Sequence, residues 1–423
     1  MNDNRTNEFS DRFDRAGKVF LLTTGSAGTT FLQSLFDFHP HILMLPTILK
    51  AYSLFNETKN MSADDMASFI INKSKLKYIF HKKKTSTIGD FSNYQISRNI
   101  FKNEFRKYWG MGIRNEKRFL ESAHYAFMMA TGKIMYDFNT VFVHFHAIHD
   151  ISKLLNDYPD AKWLLMVRNP ISMFYSDFVR YKTYNSYVLD IFGYDNCWMK
   201  ALLEFDGDHT ILKFENFTKL EKLRKDRYFI IKNEELHSNL EGVIKDLTMK
   251  IGIKFNDSML SSTIGGVPYV STTALNKDIG GASKKLLEPK HKNELSEKDI
   301  LFLETYYKKE LKKYKYSFET SADFNKEQMY KYKIANKNLL YKVRFVFQSL
   351  ERLNNDITLP HEDDRTILQA YIERHIVLKI ISKMSGDRFV KVLLTVYLLM
   401  RSIKENRKLR NEINGNIDLL PQN

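Results

Sequence analysis

GKVFLLTTGSAGTTFLQSLFDFHP, residues 17–40, decides the architecture. Its first half, KVFLLTT at 18–24, is an apolar run bounded by Gly17 and Gly25 and predicts a buried strand. Beyond Gly28, Phe31, Leu32, Leu35 and Phe36 recur at helical spacing until His39-Pro40 stops the helix. Strand, glycine-threonine turn, helix is the order that aims backbone N–H groups at an anion. Glycine permits the turn, successive N–H groups and the helix dipole favour a phosphate, and Thr29 and Thr30 add hydroxyl donors. The loop is not a Walker A loop, because its spacing and lysine are absent.

Three more strand-like runs lie further along the chain: TVFVHFH at 140–146, KWLLMV at 162–167 after the turn Pro159-Asp160, and RYFIIK at 227–232. Helical patterns separate them, over 147–157, from Asn169-Pro170 through Ser176, and from a cap at Ser238 through Leu240, Val243, Ile244, Leu247 and Ile251 to Gly252. This alternation predicts a three-layer α/β fold with a mostly parallel, doubly wound sheet. Ligands bind beyond the carboxyl ends of such strands. Gly25–Thr30, His146 and Arg168 each stand at such an end and are expected in one cleft. Residues 1–17 read as a polar tail, 18–320 as the α/β domain, and about 50–135 as a helical insertion within it. Residues 321–423 read as a basic helical extension. Within it, 365–411 carries apolar positions at helical spacing among Lys and Arg, which suits packing on the core, a partner helix or an anionic membrane surface.

The 423 residues are 43% hydrophobic and include 31 Phe and 23 Tyr, enough to bury a large core. The single cysteine, Cys197, excludes an intramolecular disulfide framework and a cysteine-rich zinc site, and fits a reducing compartment. The polar first 17 residues lack the apolar run of a secretory signal. No apolar run reaches the roughly 18–20 residues of a membrane-spanning helix. The expectation is a cytoplasmic protein, at most peripheral to a membrane. A formal charge of +15 favours polyanions. With no aromatic-basic module or zinc-finger spacing, no specific nucleic-acid partner is expected. No HExxH-like pairing supports a metal site among the histidines, so none is expected.

The second chemical element is PDAKWLLMVRNPISMFYS at 159–176. An arginine just past a buried strand presents a bidentate fork to phosphate, and Ser176 lies two helical turns on, able to serve the same anion. With the loop SAGTT at 26–30, this pair resembles the sulfotransferases that use 3′-phosphoadenosine 5′-phosphosulfate. NEEL at 233–236, Gly252–Phe255 and Ser262–Pro268 extend the likeness over about 18–316. The resemblance implies that Ser26, Ala27, Gly28, Thr29 and Thr30 hold the 5′-phosphosulfate, and that Arg168 and Ser176 hold the 3′-phosphate. It also implies that Lys284 and Lys285, in Gly280–Lys285, fold over that phosphate.

The chain departs from the family pattern at Ser26, where a lysine or arginine is usual. A hydrogen bond to a charged group contributes ~1.5–3 kcal/mol, so its loss would slow transfer about 10- to 100-fold unless another cation serves. Asn233 stands where many relatives have tyrosine. The resemblance also implies a base at His146, with His144, at a lysine position of that pattern, touching the sulfuryl group. Imidazole, with a pKa of ~6.5, suits abstraction of a hydroxyl proton. A glutamate after the first helix serves many glycan sulfotransferases, and Glu57 is the first acid there. The expected reaction is sulfuryl transfer to a hydroxyl, on a glycan or glycolipid. Two other readings stay open: a nucleotide- or polyanion-binding protein that has lost transfer, and a nucleotide kinase-like phosphotransferase.

Overall fold

The computed structural model describes residues 4–23, 25–37, 39–85, 89–132, 137–145, 151–184, 217–218, 220–222, 224–273, 276–320, 323–325 and 328. The chain divides into two units, Met1–Thr183 with Asp208–Asp323, and Tyr184–Gly207 with Phe324–Asn423. The first unit holds the sheet and both predicted anion sites. His146, Cys197 and the 365–411 stretch lie outside the described residues.

The chain opens with α1 (Asn4–Arg15), β1 (Gly17–Thr23), α2 (Thr29–Phe36) and β2 (Ile42–Met44). The insertion comprises α3 (Ala51–Thr58), α4 (Ala63–Lys73), α5 (Lys77–Phe80), the small ladder of β3 (Lys84–Thr85) with β4 (Gly89–Asp90), α6 (Arg98–Trp109) and α7 (Glu116–Thr131). Then come β5 (Thr140–Phe145), α8 (Ile151–Asp157), β6 (Lys162–Val167), α9 (Pro170–Tyr184), β7 (Tyr228–Lys232), α10 (Asn233–Ser238) and α11 (Leu240–Ile251). Two ladders, β8 (Thr263–Ile264) with β9 (Val267–Pro268) and β10 (Val270–Thr273) with β11 (Asn276–Gly280), precede α12 (Glu297–Tyr306) and α13 (Lys308–Lys313).

One five-stranded sheet, ordered β2-β5-β1-β6-β7, organises the unit, and every pairing in it is parallel. β1 is central, with Leu21 opposite His144 on one side and Leu164 on the other. Val19–Leu22 and Trp163–Val167 are buried without interruption, as a parallel sheet covered on both faces requires. Phe20 stacks on Trp163 with ring centroids 5.0 Å apart and also meets Tyr158 and Phe145. The register brings the ends of β1, β5, β6 and β7 to one edge of the sheet, so the loop after Thr23, Arg168 and Asn233 emerge together.

Two local readings change and one strand is added. Residues 1–17 are not a free polar tail: α1 buries Thr6, Phe9 and Phe13, and Phe9 sits against Tyr108, Tyr125 and Phe138. Spaced three and four apart among charged residues, these side chains make a stripe too narrow to stand out in composition. β2 is three residues long, too short to show a period, and pairs with β5 at the sheet edge. The cap of α11 is Asn239, whose Oδ1 accepts from the Gly242 N–H at 3.2 Å, because Ser238 closes the preceding turn, α10.

Candidate active site

The loop after β1 is shaped by backbone conformations that few side chains tolerate. Gly25 and Gly28 have φ of 97° and 85°, and Ser26, with a side chain, holds φ at 42°. The Gly25 N–H donates to Thr23 Oγ1 at 3.0 Å, and the Gly28 carbonyl accepts from the Phe31 and Leu32 N–H groups. No side chain caps α2 at Gly28, and an uncapped first turn of this kind suits an anion. The loop sits tightly on its support. A Cβ at Gly28 would lie 2.3 Å from Asn233 Oδ1 and 3.2 Å from Met166 Cε. Ala27 and Thr29 are buried, while Ser26 and Thr30 are half-buried.

The second cradle follows β6. Asn169 Oδ1 accepts from the Ile171 and Ser172 N–H groups, capping α9, and Pro170 fits its first position. Arg168 Nη1 donates to Ser176 Oγ at 2.9 Å and to the Ser26 carbonyl at 3.3 Å. Ser176 Oγ donates in turn to the Ser172 carbonyl. One guanidinium therefore joins the loop before α2 to the start of α9, and a positive charge stands beside position 26.

The sequence reading missed the element that ties these parts together, the short α10. Asn233 packs beneath Gly28, with its Oδ1 buried and unpartnered. Glu234 accepts from the Asn169 N–H through Oε1 and from the Tyr316 hydroxyl through Oε2, both at 2.9 Å. Burial and this carboxylate push the Tyr316 phenol well above its ordinary pKa, keeping it a donor. His237 stacks on Phe31 with centroids 4.8 Å apart and planes 9° apart, and its Nδ1 accepts from the Ser283 N–H at 3.3 Å. Burial, then the Arg168 charge, lowers its pKa to about 4. NEEL was legible as a motif, but nothing in its spacing announced these contacts. Farther along, Ser262 Oγ lies 2.5 Å from Ser34 Oγ, and Asp37 Oδ2 accepts from Thr263 and the Gly266 N–H, docking the Ser262–Pro268 hairpin on α2.

His144, on β5, is buried and locked. Gln33 Nε2 donates to the Leu45 carbonyl at 2.8 Å, so Gln33 Oε1 is the acceptor for His144 Nδ1 at 2.7 Å. This fixes the proton on Nδ1 in the neutral ring. Phe145 ends β5, and His146 follows it outside the described residues. Lys284 and Lys285 open a short turn after Ser283, and both are exposed. Glu57 is exposed on α3.

A sequence model described as the Sulfotransferase family matches residues 18–257, more than half of the chain. The chain belongs to the sulfotransferase family. That match spans both cradles and α10. No curated protein matches the chain. Among solved structures, the sulfotransferase domain of the Synechococcus PCC 7002 olefin synthase is 12% identical, with a TM-score of 0.38, covering 72% of this chain and 96% of that one. The sulfotransferase domain of the curacin biosynthetic pathway is 15% identical, with a TM-score of 0.36 and coverage of 72% and 99%. Sulfotransferase STF9 of Mycobacterium avium is 10% identical, with a TM-score of 0.37 and coverage of 75% and 82%. Among the described residues, no helix is long and apolar enough to cross a membrane.

Proposed function

We propose that this sulfotransferase takes its sulfuryl group from 3′-phosphoadenosine 5′-phosphosulfate and passes it to a hydroxyl acceptor on a glycan or glycolipid. The observation that carries the donor reading is the Arg168 guanidinium bonded to both Ser176 Oγ and the Ser26 carbonyl. The bond brings the loop after β1 and the start of α9 next to each other, an arrangement that suits a nucleotide phosphorylated at both its 3′ and 5′ positions. The tight seat of Gly28 on Asn233 and Met166 supports the same reading, since it fixes the loop backbone against β6 and α10.

The donor supplies a sulfuryl group on a phosphate leaving group: a new S–O bond forms to the acceptor oxygen, the old one breaks, and adenosine 3′,5′-bisphosphate leaves. In this reading the N–H groups of Ala27–Thr30 and the hydroxyls of Thr29 and Thr30 hold the 5′ end. Arg168 and Ser176 hold the 3′-phosphate, while Lys284 and Lys285 add charge beside it. His146, just beyond β5, takes the acceptor proton. Because His144 gives its Nδ1 proton to Gln33, it donates to the sulfuryl group in this reading through Nε2 as the imidazolium. Fixed donors and positioning supply the catalytic effect.

Calorimetry of the full chain with adenosine 3′,5′-bisphosphate tests the donor site. Removing a charge-assisted bond in Arg168→Ala should weaken binding about 10- to 100-fold, corresponding to ~1.5–3 kcal/mol. Equal affinity in both proteins would remove the site.

A second reading is favoured by Ser26, which stands where the family carries a cation. It makes the chain a nucleotide-binding protein without turnover. Nucleotide affinity with no transfer to any hydroxyl acceptor would establish it.

A further inference from the structure

His237 belongs to no motif, yet it touches three parts of the candidate site. Its ring lies flat on Phe31, in the first turn of α2, directly after Thr29 and Thr30. It is 7% exposed, and the Arg168 charge acts on it. Its Nδ1 receives the N–H of Ser283, the residue before Lys284 and Lys285. An N–H donor at Nδ1 requires the lone pair there, so the neutral ring carries its proton on Nε2. Burial beside a guanidinium keeps the ring neutral, so this acceptor persists throughout the neutral pH range.

The segment it holds follows the β10–β11 ladder, which ends at Gly280, and leads into a short turn in which the Leu286 N–H donates to the Ser283 carbonyl. Gly281 turns the chain with φ of 70°, and a Cβ there would meet no neighbour within 4 Å. Lys284 and Lys285 are exposed. Without a fixed point, two flexible lysines lose conformational entropy when an anion collects them. The bond at Ser283 is such a point, on a ring already seated against α2.

We propose that His237 is a positioning residue that tethers the Gly281–Lys285 segment to the donor site and thereby sets the affinity for the 3′-phosphorylated nucleotide. This rests on the donor reading above. His237 acts through the lysines and does not itself contact the reacting atoms.

Two measurements on the full chain test it. The first is the rate of tryptic cleavage at Lys284 and Lys285 in the protein without nucleotide. The second is calorimetric affinity for adenosine 3′,5′-bisphosphate. His237→Phe keeps an aromatic stack on Phe31 but removes the acceptor. It should speed cleavage at least about fivefold and weaken affinity about tenfold, the effect of one ~1.4 kcal/mol hydrogen bond. His237→Asn, which restores an acceptor near the Nδ1 position, should return both to within about threefold of the original protein. In a Lys284→Ala/Lys285→Ala background, His237→Phe should have no further effect on affinity, because the groups it positions are gone. Thermal unfolding of each variant separates these effects from general loss of the fold. Unchanged cleavage, unchanged affinity, or an undiminished effect of His237→Phe in the double-lysine background would each overturn the proposal. Failure of the unsubstituted protein to bind the nucleotide would overturn the donor reading beneath it, and shows before any substitution is made.

Discussion

Ser26 holds a left-handed backbone, with φ of 42°, that costs a residue with a side chain roughly 1–2 kcal/mol. The carbonyl it presents accepts from Arg168, so the strained residue gains a charge-assisted bond and brings a cation to the loop. Gly28, two residues on, has no such latitude. Its φ is 85°, and only 2.3 Å would separate a Cβ there from Asn233 Oδ1, so the position has room for hydrogen only. Gly28→Ala should therefore lose about 1–2 kcal/mol from backbone strain alone, with a further cost as Asn233 or the loop shifts. Urea unfolding measures the first effect, and loss of nucleotide affinity reports the second. An alanine variant of full stability and affinity would contradict this geometry.

At the scale of elements, α10 is six residues long but joins the parts of the site: Asn233 under the loop, Glu234 on the corner before α9, and His237 on α2. A helix this short has little stability of its own, so its order comes from these contacts. The insertion carries another histidine set by burial. On α7, His124 Nδ1 donates to the Leu120 carbonyl at 2.8 Å, and its buried Nε2 has no partner. Burial, then the charge of Lys18, lowers its pKa from an ordinary 6.5 to about 4. Between those values the unfolded chain takes up a proton that the folded chain refuses. The stability contributed by neutral His124 is therefore complete above about pH 6.5 and is lost as pH falls toward 4, at most ~1.4 kcal/mol per pH unit. Denaturant unfolding between pH 7 and 4 should show this acid limb, and His124→Leu should flatten it. An unchanged slope in the variant would assign the limb to other groups.

For the whole molecule, a charge of +15 makes the approach of any polyanion sensitive to salt. Raising ionic strength from about 0.05 to 0.5 M shortens the screening length from roughly 14 to 4 Å, and should weaken nucleotide affinity by about tenfold. Calorimetry across that range checks it, and a flat response would confine recognition to uncharged contacts. Much of the architecture was legible beforehand. The apolar runs at 18–24 and 162–167, the helical spacing after Gly28 and the corner Asn169-Pro170 are local patterns. Strand period, turn chemistry and capping act over a few residues and leave their record in composition. Proximity between distant segments leaves none. That Arg168 reaches the Ser26 carbonyl follows from parallel β1 and β6 lying side by side, and that α10 supports both cradles follows from β7 lying next to β6. His144 reads as a reactive group from its type and position, but its bond to Gln33 appears only once α2 has packed against β5. The residues by themselves determined the long strands and helices and pointed to side chains suited to an anion. Tertiary structure alone decided which of those side chains share a hydrogen bond, because a bond across 142 residues depends on the folded path and not on the spacing along the chain.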